Sequence, residues 1–162
     1  MRTPRLRLLS ALLSVAMLFT FLPTAAFAAS TTKFIDGDFQ YETGYVGYTV
    51  SVKKYNGNGQ DVKIPETVDY DGNTYTVTSI DTNAFYNRSP SNLTSIEIPA
   101  SVTTVKSWAF DNCKNLKSVT FAKSNNLKSI SSYAFSGCES LTSVDFGEST
   151  VSTTIGNNSF EY

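Results

Sequence analysis

Leu93-Thr94-Ser95-Ile96-Glu97-Ile98-Pro99-Ala100-Ser101-Val102-Thr103-Thr104-Val105-Lys106-Ser107-Trp108-Ala109-Phe110 is one unit of a sequence that repeats. Its closing pair returns as Ala84-Phe85, Ala134-Phe135 and Ser159-Phe160, so the phenylalanines stand 25 residues apart each time. A fixed period in this range marks a stacked-repeat solenoid. The opening returns too: Leu93, Ile96 and Ile98 have counterparts in Leu116, Val119 and Phe121, and again in Leu141, Val144 and Phe146. Residues two apart share one face of a strand, so Ile96 and Ile98 are predicted to point inward and Ser95 and Glu97 outward. Pro99 marks the following turn here, and Asn125-Asn126 marks it one unit on. Val102 and Val105, matched by Val77 and Ile80 and by Leu127 and Ile130, then carry the chain back along the other side. In the last unit Ile155 keeps its place, while its companion Val151 comes one residue early. The alanine before each ring reads as a space constraint where the ring fills the interior. Coils stacked at the strand spacing of ~4.8 Å would form one internal ladder of rings. One coil cannot bury its apolar face alone; only the stack makes a core.

Upstream, Val62-Lys63-Ile64-Pro65 repeats Ile96-Glu97-Ile98-Pro99, so a less regular unit begins near Asp61. Before it, residues 39–55 read as strands, with Tyr48-Thr49-Val50-Ser51-Val52 alternating at period two and Gly44 and Gly47 bracketing a turn. Asn56-Gly57-Asn58-Gly59 is a second turn signal, and Asp69-Tyr70-Asp71-Gly72-Asn73 reads as a hairpin turn. At the start, Arg2, Arg5 and Arg7 precede an apolar run over residues 8–22, and Ala26-Phe27-Ala28 offers a small-residue cleavage site. The run of about 15 residues is short against the ~20 that span a bilayer. Three parts are expected: a secretory signal peptide over 1–28, an N-terminal β cap over 29–60, and repeats over 61–162, about four coils with the last incomplete. Removing the first part takes three of the 13 basic residues and none of the 14 acidic ones, which leaves a mildly acidic chain. With no basic cluster, nucleic acid and anionic membrane are not the expected partners. No second apolar stretch is long enough to span a membrane.

The L-x-x-[IV]-x-[IF] spacing is the leucine-rich-repeat core pattern. Taken with Val77-Thr78-Ser79-Ile80, the Ala-Phe pairs and Cys113-Lys114-Asn115-Leu116, it resembles the BspA-type leucine-rich repeats of secreted and surface proteins. The likeness runs from about residue 38 to 162, departing at Arg88, where the family usually has Cys or Asn, and in the incomplete last unit. It implies a mainly β, right-handed leucine-rich-repeat solenoid with an N-terminal β-hairpin cap and little regular helix. It also implies a secreted or cell-surface location and adhesion to a protein or glycan partner on a host or microbial surface.

The chain has no histidine, which removes Ser-His and Cys-His nucleophile pairs and imidazole metal sites. Asp36-Gly37-Asp38 and Asp69-Tyr70-Asp71-Gly72 have the composition of turns and lack the further oxygens that calcium needs. Glu97 and Asp145 fall two coils apart on an open strand face, where nothing separates their acidities, and read as surface acids. No catalytic residue, metal or cofactor is therefore assigned, and the chain reads as a non-enzyme. Cys113 and Cys138 stack one period apart. The alternatives are a disulfide and two buried thiols filling a repeat position, and parallel side chains favour the thiols. Asn87-Arg88-Ser89, Asn92-Leu93-Thr94 and Asn157-Asn158-Ser159 fit the N-glycosylation triplet.

Two surfaces are candidates for binding. The first is the outward strand face: Ser95, Ser118 and Ser143 with Glu97, Thr120 and Asp145, flanked by Thr94, Lys117 and Thr142. The same small polar residues would serve merely to keep a sheet soluble. The second is the pair Trp108 and Tyr133, one place before Ala-Phe on successive coils, where Asn83 and Asn158 imply exposure. Such a pair could hold a sugar ring; mutual packing over a loop is the alternative. The chain stops at Tyr162 inside a coil, so a longer parent protein, or self-association through an uncapped C-terminal coil, is expected. The leading reading is a binding module; the others are the targeting part of a longer surface enzyme and a structural surface component.

Overall fold

The computed structural model describes residues 30–86 and 92–161. The expected signal peptide, the triplet at Asn87, Arg88 and the final Tyr162 lie outside the described residues. Among those described, none is helical. The chain forms twelve strands: β1 (Lys33–Asp36), β2 (Phe39–Thr43), β3 (Thr49–Tyr55), β4 (Asp61–Lys63), β5 (Thr67–Tyr70), β6 (Asn73–Ile80), β7 (Ser95–Ile98), β8 (Thr104–Val105), β9 (Ser118–Phe121), β10 (Ser129–Ile130), β11 (Ser143–Asp145) and β12 (Thr154–Ile155). From β7 onward the chain alternates between two sheets, making a β-solenoid of about four turns. One sheet runs β4-β7-β9-β11 and the other carries β6-β8-β10-β12, all in parallel.

The register is the one the repeat implies. Val62, Ile96, Val119 and Val144 are successive partners in one sheet, and Ile80, Val105, Ile130 and Ile155 in the other. Most of these side chains are buried between the sheets; Ile155 and Val151, on the last coil, are exposed. Phe85, Phe110, Phe135 and Phe160 stack with centroids 4.7, 4.8 and 5.1 Å apart. Phe121 and Phe146 form a second stack at 5.6 Å under the other sheet. Ala84, Ala109 and Ala134 are buried beside the rings, as the space argument requires. The turns are also tied from coil to coil: the Phe85, Phe110 and Phe135 amides donate to the carbonyls of Ala109, Ala134 and Ser159, each at 2.8 Å.

The N-terminal segment is joined more closely than a separate hairpin would be. β1, β2 and β3 form an antiparallel meander, and β3 then lies parallel to β6, pairing Val50 with Val77 and Val52 with Ile80. Tyr55 consequently stacks on Phe85 at 5.3 Å, putting a further ring on the ladder. The period-two pattern of this segment holds for Val50 and Val52, which are buried; Tyr48 precedes the strand and is exposed. β5 and β6 form the expected hairpin, whose turn residues Asp71 and Gly72 both have positive φ, as a two-residue turn between twisted strands requires.

An ion cluster sits where β3, β6 and β8 run side by side. Asp81 accepts from Lys106 Nζ at 2.7 Å and from Lys53, which also bridges Glu42 at 2.9 Å. Burial alone would raise the Asp81 pKa, but hydrogen bonds from Lys106, Lys53 and the Thr82 amide outweigh it, so the pKa lies below its ordinary value. A depressed carboxyl stabilises the fold above its unfolded-state pKa, and that contribution is lost as pH falls through the folded-state value. The urea midpoint of the native chain should therefore drop below about pH 4, the ordinary range of such a group. Asp81→Asn should cost ~1–3 kcal/mol at neutral pH and flatten that acid limb. Equal acid sensitivity in both proteins would show that Asp81 is not the group responsible.

Candidate functional site

The outward face of the β4-β7-β9-β11 sheet carries the first candidate set. Parallel register places Asp61, Ser95, Ser118 and Ser143 in one row and Lys63, Glu97, Thr120 and Asp145 in the next. The six residues picked from the sequence thus lie together on one flat surface, with neighbours about 4.8 Å apart. Their engagements differ. Ser95 Oγ donates to Asp61 Oδ1 at 2.6 Å, and Lys63 Nζ bridges Glu97 Oε1 at 2.7 Å. Both ends of that bridge are exposed, so it contributes at most about 1 kcal/mol. Asp145 Oδ1 accepts the Gly147 amide at 2.8 Å. Ser118, Thr120 and Ser143 have no side-chain partner among the described residues and are open to a ligand. A shallow depression of about 330 Å³ runs over Lys63, Ser95, Glu97, Ser118 and Thr120. Asp61 and Lys63 were not singled out from the sequence, because β4 belongs to the irregular first unit.

Trp108 and Tyr133 stack as expected, 5.5 Å apart with planes 6° from parallel, and Trp108 is 44% exposed. The backbone beneath them was not foreseen. Asn83, Trp108, Tyr133 and Asn158 have φ of 60, 56, 62 and 57°, a left-handed conformation at the same place in each coil. Asparagine tolerates it; for a bulky side chain it costs about 1–2 kcal/mol. A stacked pair returns about 0.5–1.5 kcal/mol. Stacking by itself therefore does not offset the backbone cost relative to asparagine at these positions. Asn83 also lines a cavity of about 490 Å³ with Asn56, Asn58, Tyr86 and Asn92.

Cys113 and Cys138 are free, fully buried thiols. Each donates to a phenylalanine carbonyl one coil earlier, Cys113 to Phe85 at 3.3 Å and Cys138 to Phe110 at 3.2 Å. The adjoining Cys138 thiol, and then burial, push the Cys113 thiol well above its usual range, so it stays protonated and unreactive. Among the described residues no cluster of carboxylates and thiols could hold a metal ion.

The coils are similar in sequence and fold to those of known proteins. Residues 78–162 match the family described as BspA type leucine rich repeat region (6 copies). The chain belongs to that family. It is similar to a leucine-rich cell surface protein of Faecalibacterium prausnitzii, with 35% identity over 70% of this chain and 30% of that one and a TM-score of 0.65. A leucine-rich repeat protein of Bacteroides ovatus gives 30% identity over 79% and 32% of the two chains, with a TM-score of 0.68. A leucine-rich repeat protein of Treponema pallidum gives 28% identity over 77% and 54%, with a TM-score of 0.62. The chain thus spans about a third of the length of the first two. No curated protein sequence matches it. The repeat leucines Leu93, Leu116 and Leu141 stand just before β7, β9 and β11 respectively, and the cysteines and Ala-Phe pairs lie between the other sheet's strands and those leucines.

Proposed function

We propose that this BspA-type repeat is a binding module of a secreted or cell-surface protein, and that it engages a protein partner through the outward face of β4, β7, β9 and β11. The observation that carries this reading is a set of unpaired hydroxyls. Ser118 and Ser143 pair in one row and Thr120 stands in the next, on a parallel sheet, with no side-chain partner among the described residues. A flat surface with preset donors and acceptors suits another protein: ordering entropy is already spent in the scaffold, and extended contact compensates for weak single bonds. The F. prausnitzii relative is described as a cell surface protein, which supports the same location here. The expected adhesion belongs to this reading.

The test is binding of the chain to a panel of purified extracellular-matrix proteins and to intact bacterial and epithelial cells. The triple variant Glu97→Ala, Thr120→Ala, Asp145→Ala removes side chains that the core does not use. It should keep the native melting temperature within a few degrees and lose at least about tenfold in affinity for any protein bound by the native chain. Unchanged binding by the folded variant would remove the strand face from the account.

A further inference from the structure

The surface that strand-face recognition leaves unexplained is the Trp108–Tyr133 stack on the return path. Its two members hold a backbone conformation that suits the asparagines at the same place in the flanking coils. Neither the Trp108 indole N–H nor the Tyr133 hydroxyl has a partner among the described residues. Trp108 is thus an exposed apolar body with an unspent polar group, while Tyr133, expected to be exposed, is half-buried beneath it. An exposed ring of this kind seats one face of a sugar while bonding its hydroxyls.

The two ends of the stack are not equivalent. Beyond Tyr133 comes Asn158, whose amide is engaged by Glu161 Oε2 at 2.6 Å. Beyond Trp108 comes Asn83, whose side chain has no partner among the described residues and which opens on the 490 Å³ cavity shared with Asn58 and Tyr86. An asparagine is smaller than an aromatic ring and does not continue the stack at that end. The Asp111 amide donates to the Trp108 carbonyl at 3.1 Å, and Lys54 lines the cavity with the asparagines.

We infer that the Trp108 face and the Asn83 amide form a binding site for a glycan. One pyranose continues the aromatic stack over Asn83, and the next residue of the chain enters the amide-rich cavity. This site is separate from the strand face and does not depend on it.

The chain has a single tryptophan, so its fluorescence reports on this position alone. Titration with cellotetraose, chitotetraose and maltotetraose should give a saturable emission change for at least one of them below about 10 mM. Asn83→Gly, which keeps the positive φ and removes only the amide, should weaken the effective sugar at least about fivefold. Trp108→Asn should keep the native melting temperature within a few degrees and lose binding by calorimetry. The strand-face triple variant should bind the sugar as the native chain does. No emission change with any of the three tetrasaccharides, or full binding by Asn83→Gly, would each overturn the proposal.

Discussion

Phe110→Ala should destabilise the protein by about 3–5 kcal/mol, the usual cost of emptying a buried aromatic site. The ring is fully buried and stacks on both sides, 4.7 Å from Phe85 and 4.8 Å from Phe135. Its removal opens a gap in the middle of the ladder that cannot close, because the coil spacing on either side is held by backbone pairs. Phe110 N–H remains bonded to the Ala134 carbonyl and Phe85 N–H to Ala109, so the walls stay in place around the cavity. For a domain of this size the loss corresponds to a melting temperature lower by about 10 °C or more. Phe160→Ala should cost clearly less, since that ring is only half-buried and touches Phe135 alone among the ladder rings. Circular dichroism melts of the two variants give the comparison. Equal shifts would mean that stacking along the coil axis is not what holds the core.

Asn125→Ala should be the most damaging change at a polar residue, about 2–4 kcal/mol. The side chain is almost wholly buried, and its Nδ2 donates to the Ala122 carbonyl at 2.9 Å and to the Phe146 carbonyl of the next coil at 2.7 Å. Its Oδ1 accepts the Leu127 amide at 3.2 Å. One amide therefore satisfies three backbone groups on two coils, and truncation leaves each short of a partner at about 1–3 kcal/mol before water compensates. Asn125→Asp keeps the acceptor but sets a carboxylate against two carbonyls, and should be no better than alanine. The adjacent Asn126 is exposed, and its alanine variant should stay within about 0.5 kcal/mol of native. Urea denaturation of the three variants separates the cases. A mild Asn125→Ala would show that the turn needs only its backbone.

These two residues show where the sequence was transparent and where it was not. The ring ladder could be read because a 25-residue period is a property of the whole chain, and each phenylalanine vouches for the others. The inward rows followed for the same reason, and Val62 found its partner Ile96 through a four-residue echo. Asn125 was legible only as a turn residue. Asparagine is so common in turns that its identity does not reveal whether the amide faces water or ties two coils together. Asp81 was opaque for a different reason. Its partners Lys53 and Lys106 sit on neighbouring coils, but the aligned position holds serine in one later unit and glycine in the next, so no pattern announces the cluster. The left-handed backbone under Trp108 and Tyr133 was hidden because aromatic residues give no hint of positive φ. Only the asparagines at the same place carried that signal.

The candidate face was half legible. Its rows follow from strand alternation, so Ser95, Ser118 and Ser143 could be placed side by side without coordinates. The partition within it could not. Asp61 and Lys63 lie in the irregular first unit, and they occupy Ser95 and Glu97 while leaving Ser118, Thr120 and Ser143 open.

Everything above rests on coils that are interchangeable modules in a fixed register, and deletion tests that directly. Removing residues 106–130 takes out one full period and joins Val105 to Ser131. β8 is then left to pair with β12, β7 with β11, and Phe85 to stack on Phe135. This shortened chain should remain folded, with a β-type circular dichroism spectrum and a cooperative, lower-temperature melt. Removing residues 106–129 shifts all later residues by one place and turns their inward rows to solvent, so it should abolish cooperative unfolding. If the two deletions melt alike, the register that places the core and the candidate faces is wrong.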